Sequence, residues 1–315
     1  MMEAPGMKHP LLVIVGPTGV GKTEIAVALS ARIPIEVVSA DSRQVYRGMD
    51  VATGKPTAAQ RRAVRHHLVD VVDPDDRYHA ARFRADAALA IEDIRGRGRL
   101  PVVVGETGLY IRALIRGLDA APPADPGFRR ELDAVAAREG GQALHHRLER
   151  EAPELARRLH PNDHVRVVRA LERVRSGGAL IEARWEQPIS AYRVLSVGLT
   201  ADRRALAERL QVRARAMIAA GLLDEVRSLL ARGYDESLSA MRGIGYREFI
   251  PVARGERDED EARRLMERAT RQYARRQWTW FLREPDIRWL EVVPGAPERV
   301  AIRIEAMTKE EGMVA

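Results

Sequence analysis

One segment near the amino end carries the first chemistry. Gly16-Pro17-Thr18-Gly19-Val20-Gly21-Lys22-Thr23 fits the pattern G-x-x-x-x-G-K-[ST]. It follows the apolar run Leu11 to Val15 and opens a helical stretch, Thr23 to Arg32, which is the context the pattern requires. Glycines there let backbone N–H groups converge on phosphate oxygens. Lys22 adds a point charge for the terminal phosphates, and the Thr23 hydroxyl is placed to ligate Mg2+. The pattern predicts binding of a di- or triphosphate and does not say what becomes of it.

A carboxylate follows at the right place to act on such a ligand. Ile35 to Ser39 reads as a buried strand that ends in Ser39-Ala40-Asp41-Ser42-Arg43-Gln44-Val45-Tyr46. Ligands of open α/β sheets sit beyond the carboxyl ends of the strands, so Asp41 is aimed at the phosphate site. It can hold Mg2+ through water or take a proton from an attacking nucleophile. A plainer reading makes Asp41 or Ser42 the N-cap of a helix. The Gln44 amide can read the edge of a purine. Far along the chain, Arg271, Arg275 and Arg276 alternate with Tyr273, Trp278 and Trp280, a mixture that grips unstacked RNA. The competing reading there is a helix with a buried Trp stripe and a solvated arginine face.

The elements that must position these groups alternate. Further short apolar runs, Leu68 to Val72 and Leu100 to Val104, read as a third and fourth strand. Ala80 to Arg97 between them has helical spacing, with Phe83, Leu89, Ile91 and Ile94 apolar. Alternating strands and helices predict α/β with a parallel sheet, and strands apolar throughout predict a sheet covered on both faces. After Leu118 the Pro-rich stretch Asp119 to Gly127 breaks the pattern. From Phe128 to about Leu180 the chain reads as charged helices broken at Gly140-Gly141, Pro153 and Pro161. Val194 to Leu199 returns to a strand. Asp202 to Leu230 is helical with an interruption at Gly221, and Asp260 to Arg283 is a basic helix. The expected organisation is a core from residues 1–120 and 192–315, with a helical insertion over 121–191.

Composition bounds the partners. Of 315 residues, 45% are hydrophobic, the mean hydropathy is −0.30, and no apolar run reaches the ~18–20 residues of a membrane span. The first residues show no secretory signal pattern, so a soluble, cytoplasmic protein is expected, with no membrane and no protein partner implied. With no cysteine, disulfides and cysteine-ligated metals are excluded. His66, His67, His145 and His146 lack the neighbours of a metal site. The formal charge is +7, and of 52 basic residues only Lys8, Lys22, Lys55 and Lys309 are lysines. Arginine binds phosphate in bidentate fashion and stacks on bases, which suits a nucleic-acid partner. A GC-rich genome gives the same bias, so placement has to decide.

The motifs carry a resemblance. Gly16–Thr23, then Asp41–Pro56 (D-S-x-Q-V-Y-x-G-M-D-x-x-T-x-K-P), His67–Asp70 (H-x-L-x-D) and Gly105–Tyr110 (G-x-T-x-L-Y) occur in the order and spacing of the tRNA dimethylallyltransferases, also called tRNA isopentenyltransferases. Pro161-Asn162-Asp163 with Arg166 and Arg169, Met217 to Val226, Gly243 to Arg247 and Thr270 to Trp280 also match. The resemblance runs from Leu11 to about Leu290. It implies a P-loop NTPase-like parallel sheet core with a mostly helical insertion domain. The implied reaction moves a dimethylallyl group from dimethylallyl diphosphate to N6 of adenine 37, beside the anticodon of tRNAs reading codons that start with U. The loop Gly16, Pro17, Thr18, Gly19, Val20, Gly21, Lys22, Thr23 would then hold the donor diphosphate and not ATP, with Arg213 as a second cation and Mg2+ on Thr23.

The resemblance also distributes roles. Asp41 takes the N6 proton, and Thr107 reaches the bridging phosphate oxygen while Lys22 stabilises the leaving group. The tRNA anticodon stem-loop would meet Asp41, Ser42, Arg43, Gln44, Thr107, Met241, Arg242, Gly243, Gly245, Tyr246, Arg275, Arg276, Gln277 and Trp280. Arg166 and Arg169 are the best insertion contacts among Arg129, Arg130, Arg147, Arg157 and Arg158. Adenine and donor would enter a channel from opposite ends and meet at Asp41. Two positions depart from the family pattern. Val165 stands where relatives often carry glutamine. Glu106 stands where the family usually has glycine; it would repel a diphosphate unless it points away or joins the Mg2+ shell, and it is expected to point away. Two rivals use the same loop: a P-loop kinase acting on a small molecule or nucleotide, and a non-catalytic RNA-binding ATPase. ATP turnover would favour either.

Overall fold

The computed structural model describes residues 8–118, 125–177 and 191–314. Part of the Pro-rich break, 119–124, and the far end of the insertion, 178–190, lie outside them. Two compact units separate, one from Met1–Arg116 with Ile189–Ala315, the other Gly117–Pro188.

The first unit is α/β. Its elements run β1 (His9–Val15), α1 (Lys22–Ser30), β2 (Ile35–Ala40), α2 (Ala58–Ala63), β3 (His66–His67), α3 (Ala80–Gly96), β4 (Leu100–Gly105) and α4 (Gly108–Arg116). The second unit supplies α5 (Pro126–Glu139), α6 (Gln142–Glu151), α7 (Pro153–Ala156) and α8 (His164–Arg175). The first unit resumes with β5 (Tyr192–Thr200), α9 (Arg203–Ala219), α10 (Leu222–Ala231), α11 (Tyr246–Ala253), α12 (Glu259–Phe281), β6 (Ile287–Glu291) and α13 (Pro297–Glu310).

The six strands pair in parallel in the order β3-β2-β4-β1-β5-β6. Side chains of a strand alternate between faces. Leu11, Val13 and Val15 of β1 therefore enter one core, while Leu12 and Ile14 enter the other. That is why the strand sequences are apolar throughout. Register aligns the strand ends: Val15 pairs with Gly105, and Gly105 with Ala40. The segments after β1, β2 and β4 thus leave the sheet along one edge, and they begin with Gly16, Asp41 and Glu106.

One expected strand is corrected. Leu68 to Val72 is not a strand, because Leu68 and Asp70 both sit at φ +60. The left-handed backbone breaks the extended ladder. Asp70, Val71 and Val72 instead donate their N–H groups to the carbonyls of Gln44 and Val45, at 2.8–3.1 Å. β3 is the shorter His66–His67, paired to Val37 and Val38. The edge strand β6 and the helix α13 complete the unit beyond the elements expected from sequence. The second unit packs its helices around Phe128, Leu132, Leu148, Val167 and Leu171.

Candidate active site

The Gly16–Gly21 loop connects the central strand to α1. Gly21 caps the helix at φ +108, which a side chain would strain, and it hands the free N–H groups of the first turn to the loop. Such a helix start attracts anions. Lys22 begins α1 and curls back over the loop. Its ammonium donates to the Gly16 and Pro17 carbonyls, each at 3.0 Å, and to Glu106 Oε2 at 2.9 Å. All three of its protons are therefore engaged.

Asp41 stands at the end of β2 and is 9% exposed. Its Oδ1 accepts the N–H groups of Arg43 at 2.8 Å and Gln44 at 3.4 Å, so it does cap the turn that follows. Burial, with the Glu106 carboxylate beside it, pushes its pKa up to about 6. A carboxylate with that pKa is a competent proton acceptor at neutral pH.

Glu106 does not point away. Its side chain faces the loop and pairs with Lys22, and only 15% of it is exposed. Burial opposes its ionisation, but the Lys22 charge and hydrogen bond, with Arg213, outweigh that and hold its carboxyl below the usual range. The reason for the inward orientation is electrostatic: the ammonium at this strand end draws the carboxylate in. Thr107, next along, accepts the Ser42 N–H on its Oγ1 at 3.0 Å and donates its own N–H to the Ala40 carbonyl at 3.2 Å. It ties β4 to β2 and keeps its hydroxyl proton for another acceptor.

Two cavities meet here. The smaller, about 70 Å3, is walled by Thr18, Gly19, Gly21, Lys22 and Thr23 of the loop, with Ser39, Gln44 and Gly54 opposite. The larger, about 340 Å3, is walled by Ser42, Arg43, Ala52, Leu210, Ala214, Met217, Ile244, Met266, Tyr273 and Arg276. Thr18, Asp41, Thr53, Glu106 and Arg213 belong to both. Leu210, Arg213, Ala214 and Met217 share one face of α9 by their i, i+3, i+4, i+7 spacing, which is the sequence signal that could have revealed this apolar wall.

The residues expected at the RNA divide sharply. Arg43, Arg242, Tyr246, Gly243 and Arg276 line the larger cavity, and Arg275 is exposed on α12. Tyr246 is nearly buried and donates its hydroxyl to Glu225 at 2.7 Å. Gly245 holds the turn before α11 at φ +96. Met241 is corrected: it is fully buried in the core and offers RNA no surface. Gln44 lines the smaller cavity, where its carbonyl accepts the Ser39 hydroxyl at 3.0 Å and its amide donates to the Gly54 carbonyl at 3.4 Å. Its amide is used inside the protein, away from a purine edge. Gln277 is 5% exposed and braces the loop: its Oε1 accepts the Thr18 N–H at 2.9 Å, and its Nε2 donates to the Glu106 carbonyl at 3.4 Å. Trp280 packs under the Arg112 guanidinium, 4.5 Å from its ring centre, and its indole fills the space where a side chain at Gly108 would stand. On α12, Gln277 is buried and Trp280 half-buried, while Arg275 and Arg276 are exposed.

In the second unit, Arg129 and Arg169 both pair with Glu172, and Arg147 pairs with Glu131 and Glu151. Arg166 lies 3.5 Å from Asp163 and is largely exposed, beside the exposed Val165.

Comparison with known proteins points to one family over most of the chain. A model described as IPP transferase matches residues 44–284, and one described as isopentenyl transferase matches residues 9–73. The tRNA dimethylallyltransferase 2 of Geotalea uraniireducens is 48% identical over 90% of this chain and 93% of its own. The tRNA dimethylallyltransferase of Anaeromyxobacter dehalogenans is 47% identical over 94% and 99%. The solved full-length tRNA isopentenylpyrophosphate transferase of Bacillus halodurans has a TM-score of 0.71 and 37% identity, covering 97% of this chain and 98% of its own. A eukaryotic dimethylallyltransferase acting on tRNA has a TM-score of 0.76 and 25% identity, covering 96% and 79%. No helix among the described residues is long and apolar enough to cross a membrane. With identity near one half over nine-tenths of the chain and a family model over most of it, the chain belongs to the IPP transferase family.

Proposed function

We propose that the chain transfers a dimethylallyl group from dimethylallyl diphosphate to N6 of adenine 37 of tRNA, releasing diphosphate. The observation that carries this reading is Asp41 on the wall shared by the two cavities. One cavity is built from phosphate-binding backbone and Lys22. The other is walled by apolar residues of α9 and by arginines. A donor whose diphosphate lies in the first directs its allylic carbon toward the second, where an extruded base can enter.

The chemistry follows from the residues. The adenine N6 attacks the allylic carbon as the bond from that carbon to the diphosphate oxygen breaks. Charge builds on the leaving oxygens, where Lys22, the loop N–H groups and Arg213 stabilise it. Asp41 receives the N6 proton, and its raised pKa suits that task. The Thr107 hydroxyl keeps a proton it can donate to a phosphate oxygen.

The Thr23 hydroxyl lines the smaller cavity and is a hard oxygen donor of the kind Mg2+ takes. Mg2+ characteristically uses one or two protein oxygens together with substrate phosphates, so Thr23 and the donor fit it. When bound it would supply charge neutralisation to the diphosphate.

The anticodon stem-loop is the acceptor in this proposal, met on the first unit by Arg43, Arg242, Arg275 and Arg276. The test is transfer of label from dimethylallyl diphosphate, with Mg2+, to an anticodon stem-loop carrying adenine 37, beside a loop with guanine there. Label in the first RNA alone is the expected result. No label in either, with ATP hydrolysis or phosphoryl transfer instead, would replace this reading by a kinase or ATPase.

A further inference from the structure

Lys22 has three protons and three internal acceptors: two loop carbonyls and the Glu106 carboxylate. A phosphate that takes Lys22 has to take the place of one of them. Glu106 is the only charged one, and it comes from a different strand end. The Lys22 and Glu106 side chains are 10% and 15% exposed, so solvent screens the pair little. Arg213, the one cation common to the two cavity walls, also acts on Glu106. Glu106 is thus paired directly with Lys22 and lies in the field of Arg213.

We propose that Glu106 is an internal anion standing at Lys22 where a phosphate belongs, so that a diphosphate must displace it, and that this exchange sets the affinity of the site. With the diphosphate in place and Glu106 unmoved, two cations would face the charges of Asp41, Glu106 and the ligand. A buried charge without a partner is costly, which drives the exchange. Glu106 has somewhere to go: it also lines the larger cavity, whose wall carries Arg213 and Arg276. Its backbone carbonyl is held by Gln277, so the movement is one of side chain alone. Displacement keeps free phosphates of the cell from settling tightly in the loop. The proposal rests on the functional reading only in taking a diphosphate as the ligand.

The experiment titrates inorganic diphosphate calorimetrically into the wild-type protein, Glu106→Gln and Glu106→Ala, without tRNA, with and without Mg2+. Gln keeps an oxygen for Lys22 and removes the charge; Ala removes both. Both variants are expected to bind about ten-fold more tightly, in line with loss of a competing charged hydrogen bond. The gain should vanish when Lys22→Met is added, because the competition is for Lys22. Unchanged affinity overturns the proposal. So does weaker binding, and a weakening seen only with Mg2+ would make Glu106 part of the metal's surroundings. Label transfer measured on the same preparations separates the two readings: no transfer to RNA with a ten-fold diphosphate effect removes the function and leaves the displacement standing.

Discussion

Asp41→Asn should make the protein more stable and nearly inactive, and the stability gain should depend on pH. Asn keeps the Oδ1 that accepts the Arg43 and Gln44 N–H groups, so the turn after β2 survives. What it loses is a charge that burial and Glu106 disfavour. The folded carboxyl titrates at about 6 against an ordinary 3.8. At 1.36 kcal/mol per unit, that difference is about 3 kcal/mol. A folded pKa above the unfolded one means the protonated form is favoured by folding. That contribution is complete below about pH 4 and is lost as pH rises through about 6. At pH 8 the wild type therefore carries a cost that the Asn variant does not, up to ~3 kcal/mol. At pH 4 the two should unfold alike. Urea denaturation at pH 4, 6 and 8 measures it, with the midpoint shifting at constant slope. In parallel, transfer by the variant should fall by roughly 10^2–10^4-fold, as for a lost general base. Wild-type kcat/KM should rise with pH toward about 6 and then level. A stability difference of equal size at pH 4 and pH 8 would refute the electrostatic argument. Transfer retained by Asp41→Asn would refute the role as proton acceptor.

Three further outcomes are expected. Arg213→Ala should raise KM for the donor about ten-fold, as a lost charged hydrogen bond does; unchanged KM and kcat would remove Arg213 from the site. Gly54→Ala should mimic it, since Gly54 sits at φ +57 and an added Cβ would stand 1.8 Å from the Arg213 guanidinium. A normal donor KM in that variant would mean Arg213 does not act from this position. Gln277→Leu should strand the Thr18 N–H, destabilise by roughly 1–3 kcal/mol and weaken diphosphate binding. If only tRNA affinity falls, Gln277 is an RNA contact and not a brace.

Much of the frame was legible in the chain because its signals are local. The loop from Gly16 to Thr23 is set by glycine conformations and a neighbouring strand, and both are written within a dozen or so residues. Asp41 follows from the rule that parallel sheets present ligands at strand ends, which needs only the strand to be recognised. Runs that are apolar throughout, such as Leu100 to Val104, could be read as doubly covered strands without knowing what covers them. The breaks at Gly140-Gly141 and Pro153 likewise mark where α5 and α6 end, because those residues act on their own backbone.

Other features depended on distant partners. Leu68 to Val72 has strand composition, yet two left-handed residues bend it onto the segment 44–47. β6, Ile-Arg-Trp-Leu-Glu, has no clean period because it is an edge strand, paired only to β5 and mostly half-exposed. The resemblance puts Gln277 and Trp280 on the tRNA, and only packing shows that Gln277 also braces the Thr18 loop and that Trp280 lies under Arg112. Met241 sits in a glycine-rich stretch that looks like a surface loop, but its side chain fills the core.

The sequence by itself determined the glycine-rich loop with its lysine, the carboxylate beyond β2 and the family, since these are patterns of residue type along the chain. Only the tertiary structure decided what faces Lys22. Glu106 lies 84 positions away, and its direction is set by an ammonium that arrives from another strand end. A charge finds its partner through space, and no spacing along the chain records that meeting.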